Sequence, residues 1–259
     1  MEIKSNNIIN SRGVSISTIF ISALIVVPLV ALLLSVLKID LNNFYYLWDN
    51  LLIDYSLNTL YLVLLTSFFS LIFGIFPAWF ISTSKFKGRN LYDIILYLPL
   101  AIPTYIMAFT YSDVLSYTGP IQSFSRKYMP EISNILNQDY LQIEVLAIIM
   151  GLALYPYIYT ACRISFSLVG SNYVDLCRNL GMSQMKTFFK IILPISRVAI
   201  FSGLFLVIME VLNEYGAVKY FGVNTYTIGI FRSWNSMNDT EAAIQLSSIL
   251  LFIVFFLFQ

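Results

Sequence analysis

The sequence predicts an all-α integral membrane protein with about six transmembrane helices. Hydrophobic residues make up 58% of its 259 positions and charged residues 11%, with a mean hydropathy of +0.77, well outside the range of soluble domains. Apolar stretches long enough to cross a bilayer recur at 14–37, 57–82, 92–112, 145–162, 198–219 and 241–258. The cations between them fall mainly in alternate polar segments, the distribution expected of a chain that threads a membrane repeatedly.

Residues 1–13 are polar and carry Lys4 and Arg12; the 24 uncharged residues at 14–37 then reach across about 30 Å of hydrocarbon at ~1.5 Å per residue. That run is too long for a cleaved signal peptide and lacks a small-x-small site near its end, so a retained helix is expected. The segment 38–54 holds Asp40, Asp49 and Asp54 with Phe44, Tyr45, Tyr46 and Trp48, aromatic residues of the kind that settle at a membrane interface. No charge occurs in the 30 residues from Tyr55 to Ser84, where Gly74 and Pro77 mark a bend rather than an end. A basic turn of Lys85, Lys87 and Arg89 leads into the third span, in which Pro99 and Pro103 remove ladder hydrogen bonds. Two readings fit: a broken helix that lines a path, or a packing kink.

Residues 113–142 form the longest polar interlude, with Gly119, Pro120 and Pro130. The fourth span is bounded by Glu144 and Arg163 and interrupted at Tyr155-Pro156-Tyr157. After the polar stretch 172–197 comes the fifth span, then a loop at 220–239 that holds Arg232 and Trp234, and a sixth span that stops at Gln259 straight after an apolar run. That ending reads as a truncated chain or the first part of a longer one. The chain divides into 1–54, a first helix with its outer loop, and 55–259, the main transmembrane domain.

With the amino terminus inside, the inner segments hold ten of the fifteen cations and only Glu2, Asp93 and Asp175 of the acids, as the positive-inside rule requires. A net charge of +1 points to no nucleic-acid partner. The absence of histidine removes the commonest general base and metal ligand, and no nucleophile–base pair or metal cluster is visible. Cys162 and Cys177 read as small apolar residues.

The stretch 172–197 organises the second half. Tyr173, Leu176, Cys177 and Leu180 fall at i, i+3, i+4, i+7, and Met185, Phe188, Phe189 and Ile192 repeat that spacing. Each half reads as a short amphipathic helix, the two meeting at Gly181 in a left-handed turn. Asn172 with Asp175 resembles an N-cap arrangement, Ser183 suits the second cap, and Pro194 ends the second helix. Asp175 serves as a cap or salt-bridges a partner; Phe188 and Phe189 hold the hairpin to its own bundle or reach into a partner; Lys186 and Lys190 fit a solvated face or membrane lipid.

This stretch resembles the EAA loop of binding-protein-dependent ABC importer permeases, the MetI-like group, whose pattern runs Glu-Ala-Ala, three residues, Gly, nine residues, Ile-x-Leu-Pro. Gly181, Ile191, Leu193 and Pro194 match at that spacing, while Asp175, Leu176 and Cys177 replace Glu-Ala-Ala. The fragments LPLAIPTYIMAF, LYPYIYTACR and IMEVLNEYGAVKYFGVNTYTIGIFRSW look like the ferric iron branch. The resemblance implies a multi-pass permease of the bacterial cytoplasmic membrane with a cytoplasmic coupling helix, coupling residues Asp175, Gly181, Phe188, Ile191, Leu193 and Pro194, and no enzyme activity of its own. Its implied partners are an ATPase dimer, an extracytoplasmic substrate-binding protein and a second permease half or a second copy. ATP is expected on the ATPase, since no G-x-x-x-x-G-K-[ST] occurs among the eleven glycines, and no cofactor is expected in this chain.

Glu210, Asn213 and Glu214 stand out within the fifth span, where an ionised acid costs at least a few kcal/mol. They either border a pathway, where hard oxygen ligands suit ferric iron, or lie at an outer interface if that span is short. Rival readings are an ABC permease for a polyamine, thiamine or sulfate, and a proton-coupled secondary transporter using the two glutamates.

Overall fold

The computed structural model of the chain describes residues 11–36, 51–129, 131 and 137–257, which contain helices and no strand. In order these are α1 (Ser11–Val36), α2 (Ile53–Thr83), α3 (Arg89–Ile95), a 3₁₀ turn (Leu98–Ala101), α4 (Thr104–Leu115), α5 (Pro120–Tyr128), α6 (Ile143–Asn179), α7 (Gln184–Ile195), α8 (Arg197–Asn213), α9 (Gly216–Phe221), α10 (Tyr226–Phe231) and α11 (Thr240–Leu257). The expected interface cluster Phe44, Tyr45, Tyr46 and Trp48, the inner residues Glu2 and Lys4, Asp40, Asp49, Pro130 and the terminal Gln259 lie outside the described residues.

Two compact units form. One is Leu52–Gly229; the other joins Met1–Leu51 to Ile230–Gln259. In the second, α1 lies against α11, and a π turn at Arg232–Ser236 packs on α11 as well. Asp239 caps α11, its carboxylate accepting from the Ala242 N–H at 3.0 Å.

In the larger unit α2, α6 and α8 pack around Ile158, which is fully buried. Membrane helices gain little from excluding water against one another, so their association rests on close van der Waals fit, and small residues permit it. A Cβ on Gly74 would stand 2.8 Å from the Ile158 side chain, one on Gly151 2.6 Å from Phe69, and one on Gly203 2.8 Å from the Ile158 backbone. Helices α2 and α8 thus close on α6 from two sides. Leu62, Leu146, Met150, Tyr159 and Val207 complete the buried centre.

Several expected boundaries need correction. Among the described residues three helices are long and apolar enough to span, at Ser17–Leu34, Ile53–Thr83 and Ile143–Val169, and two bent pairs raise the number to five; Thr240–Phe256, at the place of the expected sixth span, is a shorter apolar helix. The third span is not one helix: Arg89–Ala101 and Thr104–Tyr128 meet at 97° around Pro103, which donates no N–H. The fourth is not interrupted at Pro156. Instead α6 runs unbroken through Pro156 to Asn179, and the Thr160 hydroxyl donates to the Pro156 carbonyl at 2.7 Å. The fifth ends at Asn213 rather than near Lys219, and the loop expected at 220–239 contains α10 and the π turn.

The fit at Gly203 yields a prediction. Gly203→Val, which must push α8 off α6, lowers detergent-solubilised stability by about 1–3 kcal/mol, whereas Ser202→Ala on the exposed neighbour leaves it unchanged; thermal unfolding checks both.

Candidate functional site

The left-handed geometry of the turn explains the glycine between α6 and α7. Gly181 has φ +76°, and a Cβ there would meet no atom within 4 Å, so the requirement is one of backbone conformation and not of space. The Met182 N–H donates to the Cys177 carbonyl at 2.9 Å, satisfying an acceptor left open by the end of α6. Ser183 then caps α7 as expected, its hydroxyl accepting from the Lys186 N–H at 3.4 Å.

The first arm of this hairpin is not a separate helix. It is the last part of α6, so Asn172 lies within a continuous helix and Asp175, exposed, lies in its interior and caps no helix start. Nor does Pro194 end the second arm. A π turn at Phe188–Ile192, with the Leu193 N–H donating to the Phe188 carbonyl, widens the helix before the proline ring, and helix continues to Ile195. The break falls at Ser196, where the chain turns by 71° into α8 and the Ser165 hydroxyl donates to the Ser196 hydroxyl at 2.9 Å.

Phe188 fixes α7 to the bundle. Its ring is 1% exposed, stacked on Trp79 at 4.5 Å, with Phe76 and Phe166 each at 6.2 Å. Ile192 is buried beside it, and Ile191 and Leu193 are half-buried. Phe189, one residue on, is 51% exposed and packs little against the bundle. Pro194 is exposed too. Of the apolar face expected on the first arm, only Cys177 is buried; Tyr173, Leu176 and Leu180 are exposed, with Met185 and Phe189 exposed on the second arm. The hairpin therefore presents apolar side chains on both arms, next to the exposed cations Lys186 and Lys190.

Two polar arrangements escaped the sequence reading. Asp93 on α3 accepts from the Tyr159 hydroxyl and from Arg163 at 3.2 Å, tying α3 to α6 near the hairpin. An acid inside the third span and a cation closing the fourth were the signal for it. Tyr157 on α6 donates to Glu210 on α8 at 3.1 Å, and both groups are accessible.

Glu214 parts company with Glu210. It lies beyond the last residue of α8, and its carboxylate accepts from the Ala217 N–H at 2.9 Å, capping α9. The side chain of Asn213 donates to the Met209 carbonyl of its own helix at 2.9 Å. Glu210 is thus the acid that α8 itself carries.

Residues 70–259 match the family described as binding-protein-dependent transport system inner membrane component. The chain is 25% identical over 213 residues to the sulfate transport system permease protein CysT of Salmonella typhimurium, covering 80% of this chain and 73% of that one. It is 26% identical over 195 residues to the Fe(3+)-transport system permease protein FbpB 2 of Haemophilus influenzae, covering 75% of this chain and 34% of that one. It is 27% identical over 177 residues to the molybdenum transport system permease protein ModB of Escherichia coli, covering 68% and 72%.

The split between neighbouring rings predicts opposite outcomes. Phe188→Ala costs about 3–5 kcal/mol of fold stability, while Phe189→Ala leaves the unfolding transition in place; thermal unfolding in detergent distinguishes them.

Proposed function

The chain belongs to the binding-protein-dependent transport system inner membrane component family, the permease subunits of ABC importers, and from that premise we propose how it is coupled and what it carries. It is a multi-pass inner membrane protein and not an enzyme; ATP hydrolysis resides on a separate ATPase subunit, and a substrate-binding protein is the other partner. In our reading the amino terminus and the α6–α7 hairpin face the cytoplasm, a second permease half or a second copy completes the pathway, and this chain binds no nucleotide itself.

The observation that carries the coupling proposal is the exposure of Tyr173, Leu176, Leu180, Met185 and Phe189 around a turn whose neighbour Phe188 is fully buried. The exposed set seats in the ATPase, Asp175 and the cations Lys186 and Lys190 border that contact, and Gly181 sets its turn. Phe188, with Ile191, Leu193 and Pro194 along the same arm, transmits the movement to α2 and α6. From Asn179 back to Tyr157, α6 covers roughly 33 Å at ~1.5 Å per residue, so displacement at the hairpin reaches the Tyr157–Glu210 pair through one rod.

The cargo we propose is ferric iron. An accessible carboxylate beside a phenol supplies hard oxygen donors that suit a trivalent cation, and that charge repels an oxyanion. Similarity to FbpB 2 supports the same cargo. The second reading, a sulfate-like oxyanion, is favoured by similarity to CysT and ModB.

Uptake of radiolabelled iron and sulfate by cells carrying the complete importer separates the two. Glu210→Gln lowers iron uptake about tenfold, the size of one lost charge-assisted contact, at unchanged expression; sulfate uptake without iron uptake overturns the iron reading. Leu180→Asp with Phe189→Asp abolishes co-purification of the ATPase while leaving the fold intact, and retained ATPase overturns the coupling reading.

A further inference from the structure

The turn between α2 and α3 carries two adjoining cavities that the coupling mechanism does not use. One, of about 410 Å³, is apolar: Pro77, Phe80 and Ile81 of α2 face Tyr92 and Ile95 of α3 and Leu96 just after it. The other, of about 440 Å³, is polar and takes in Lys85, Arg89 and Asn90. Phe86 lines both, its ring 5.2 Å from Phe80 and 5.8 Å from Tyr92, and Lys87 lines the apolar one.

Charge at this turn is uncompensated. Lys85, Lys87 and Arg89 make no ion pair among the described residues, and the neighbouring acid on α3, Asp93, is already engaged by Arg163 and Tyr159. The turn follows Ile53–Thr83, a helix long and apolar enough to cross a membrane, and a basic turn at the end of such a helix suits phospholipid headgroups. A ligand for both cavities needs an anionic head beside a hydrocarbon tail, and a membrane supplies such molecules at high local concentration.

We propose that this turn is a binding site for one anionic phospholipid of the phosphatidylglycerol type. Its phosphate lies against Lys85 and Arg89, with Lys87 beside it, and one acyl chain occupies the groove between α2 and α3. Because α3 is also tied to α6 by Asp93, the bound lipid adds a second brace, between α3 and the end of α2.

The test is native mass spectrometry of the full chain released from nanodiscs of phosphatidylglycerol or of phosphatidylcholine, with thermal unfolding recorded in each. The wild type retains one phosphatidylglycerol and no phosphatidylcholine. Lys85→Gln with Arg89→Gln lowers that occupancy at least tenfold, and Ile95→Trp, which fills the groove while keeping every cation, lowers it equally. Lys85→Arg with Arg89→Lys retains the lipid, which separates loss of binding from loss of fold. Equal retention by wild type and both disruptive variants means non-selective annular lipid and overturns the proposal. Competition by millimolar glycerol phosphate, together with unchanged binding in Ile95→Trp, means a phosphate site without a tail and overturns it as well.

Discussion

The insertion of Phe188 between Trp79, Phe76 and Phe166 is the contact on which the working of this fold depends. A two-armed hairpin at the end of a membrane bundle has few residues of its own and gains little from its short second helix. Buried aromatic area is what holds such an appendage, and offset rings add to that area burial. With Phe188 in place, α7 moves only if α2 and α6 move. Without it, the buried Ile192 and the half-buried Ile191 and Leu193 would be left to hold the hairpin to the bundle.

The helices that receive this contact are themselves held by fit. Gly74 and Gly203 let α2 and α8 approach Ile158, and Gly151 lets α6 approach Phe69, at distances that a side chain would forbid. The continuity of α6 through Pro156 then carries the packed centre directly into the hairpin, with no joint between. Asp93 adds a charged tie from α3 to the same helix. Hairpin, centre and α3 are thus joined by continuous contacts within the compact unit Leu52–Gly229, which also holds the Tyr157–Glu210 pair.

Much of this was legible in the sequence, for physical reasons that can be traced. Composition and span-length apolar runs fix the all-α membrane class, because a membrane β-barrel would alternate apolar and polar residues over short strands, whereas unbroken apolar runs satisfy their backbone in lipid as helices. Gly181 and Ser183 were readable because a left-handed turn and a helix start each select a few residue types. Helix continuity was harder. Pro156 and Pro194 both sit inside helix: α6 runs on through the first, and a π turn before the second makes room for its ring. Periodicity named the apolar face of the hairpin but not which of its residues would be covered, a matter decided by where α2 and α6 stand. Glu210 and Glu214 were paired by spacing, and the end of α8 between them separates their roles. The partners of Asp93 and Glu210 came from another helix; for Asp93 the two opposite charges in neighbouring spans were the signal, while the phenol beside Glu210 had none.

The exposed turn of the hairpin and the buried ring beside it make a claim about proximity that one measurement tests directly. Leu180→Cys places a thiol on the exposed arm, while the natural Cys162 and Cys177 are buried. A short bifunctional reagent joining an amine to a thiol, applied to membranes containing the whole importer, should link Leu180→Cys to the ATPase subunit. The yield should change when ATP with vanadate holds the ATPase closed, and Tyr128→Cys at the end of α5 should give no link. Absence of the Leu180→Cys product, or an equal product from Tyr128→Cys, would contradict the account.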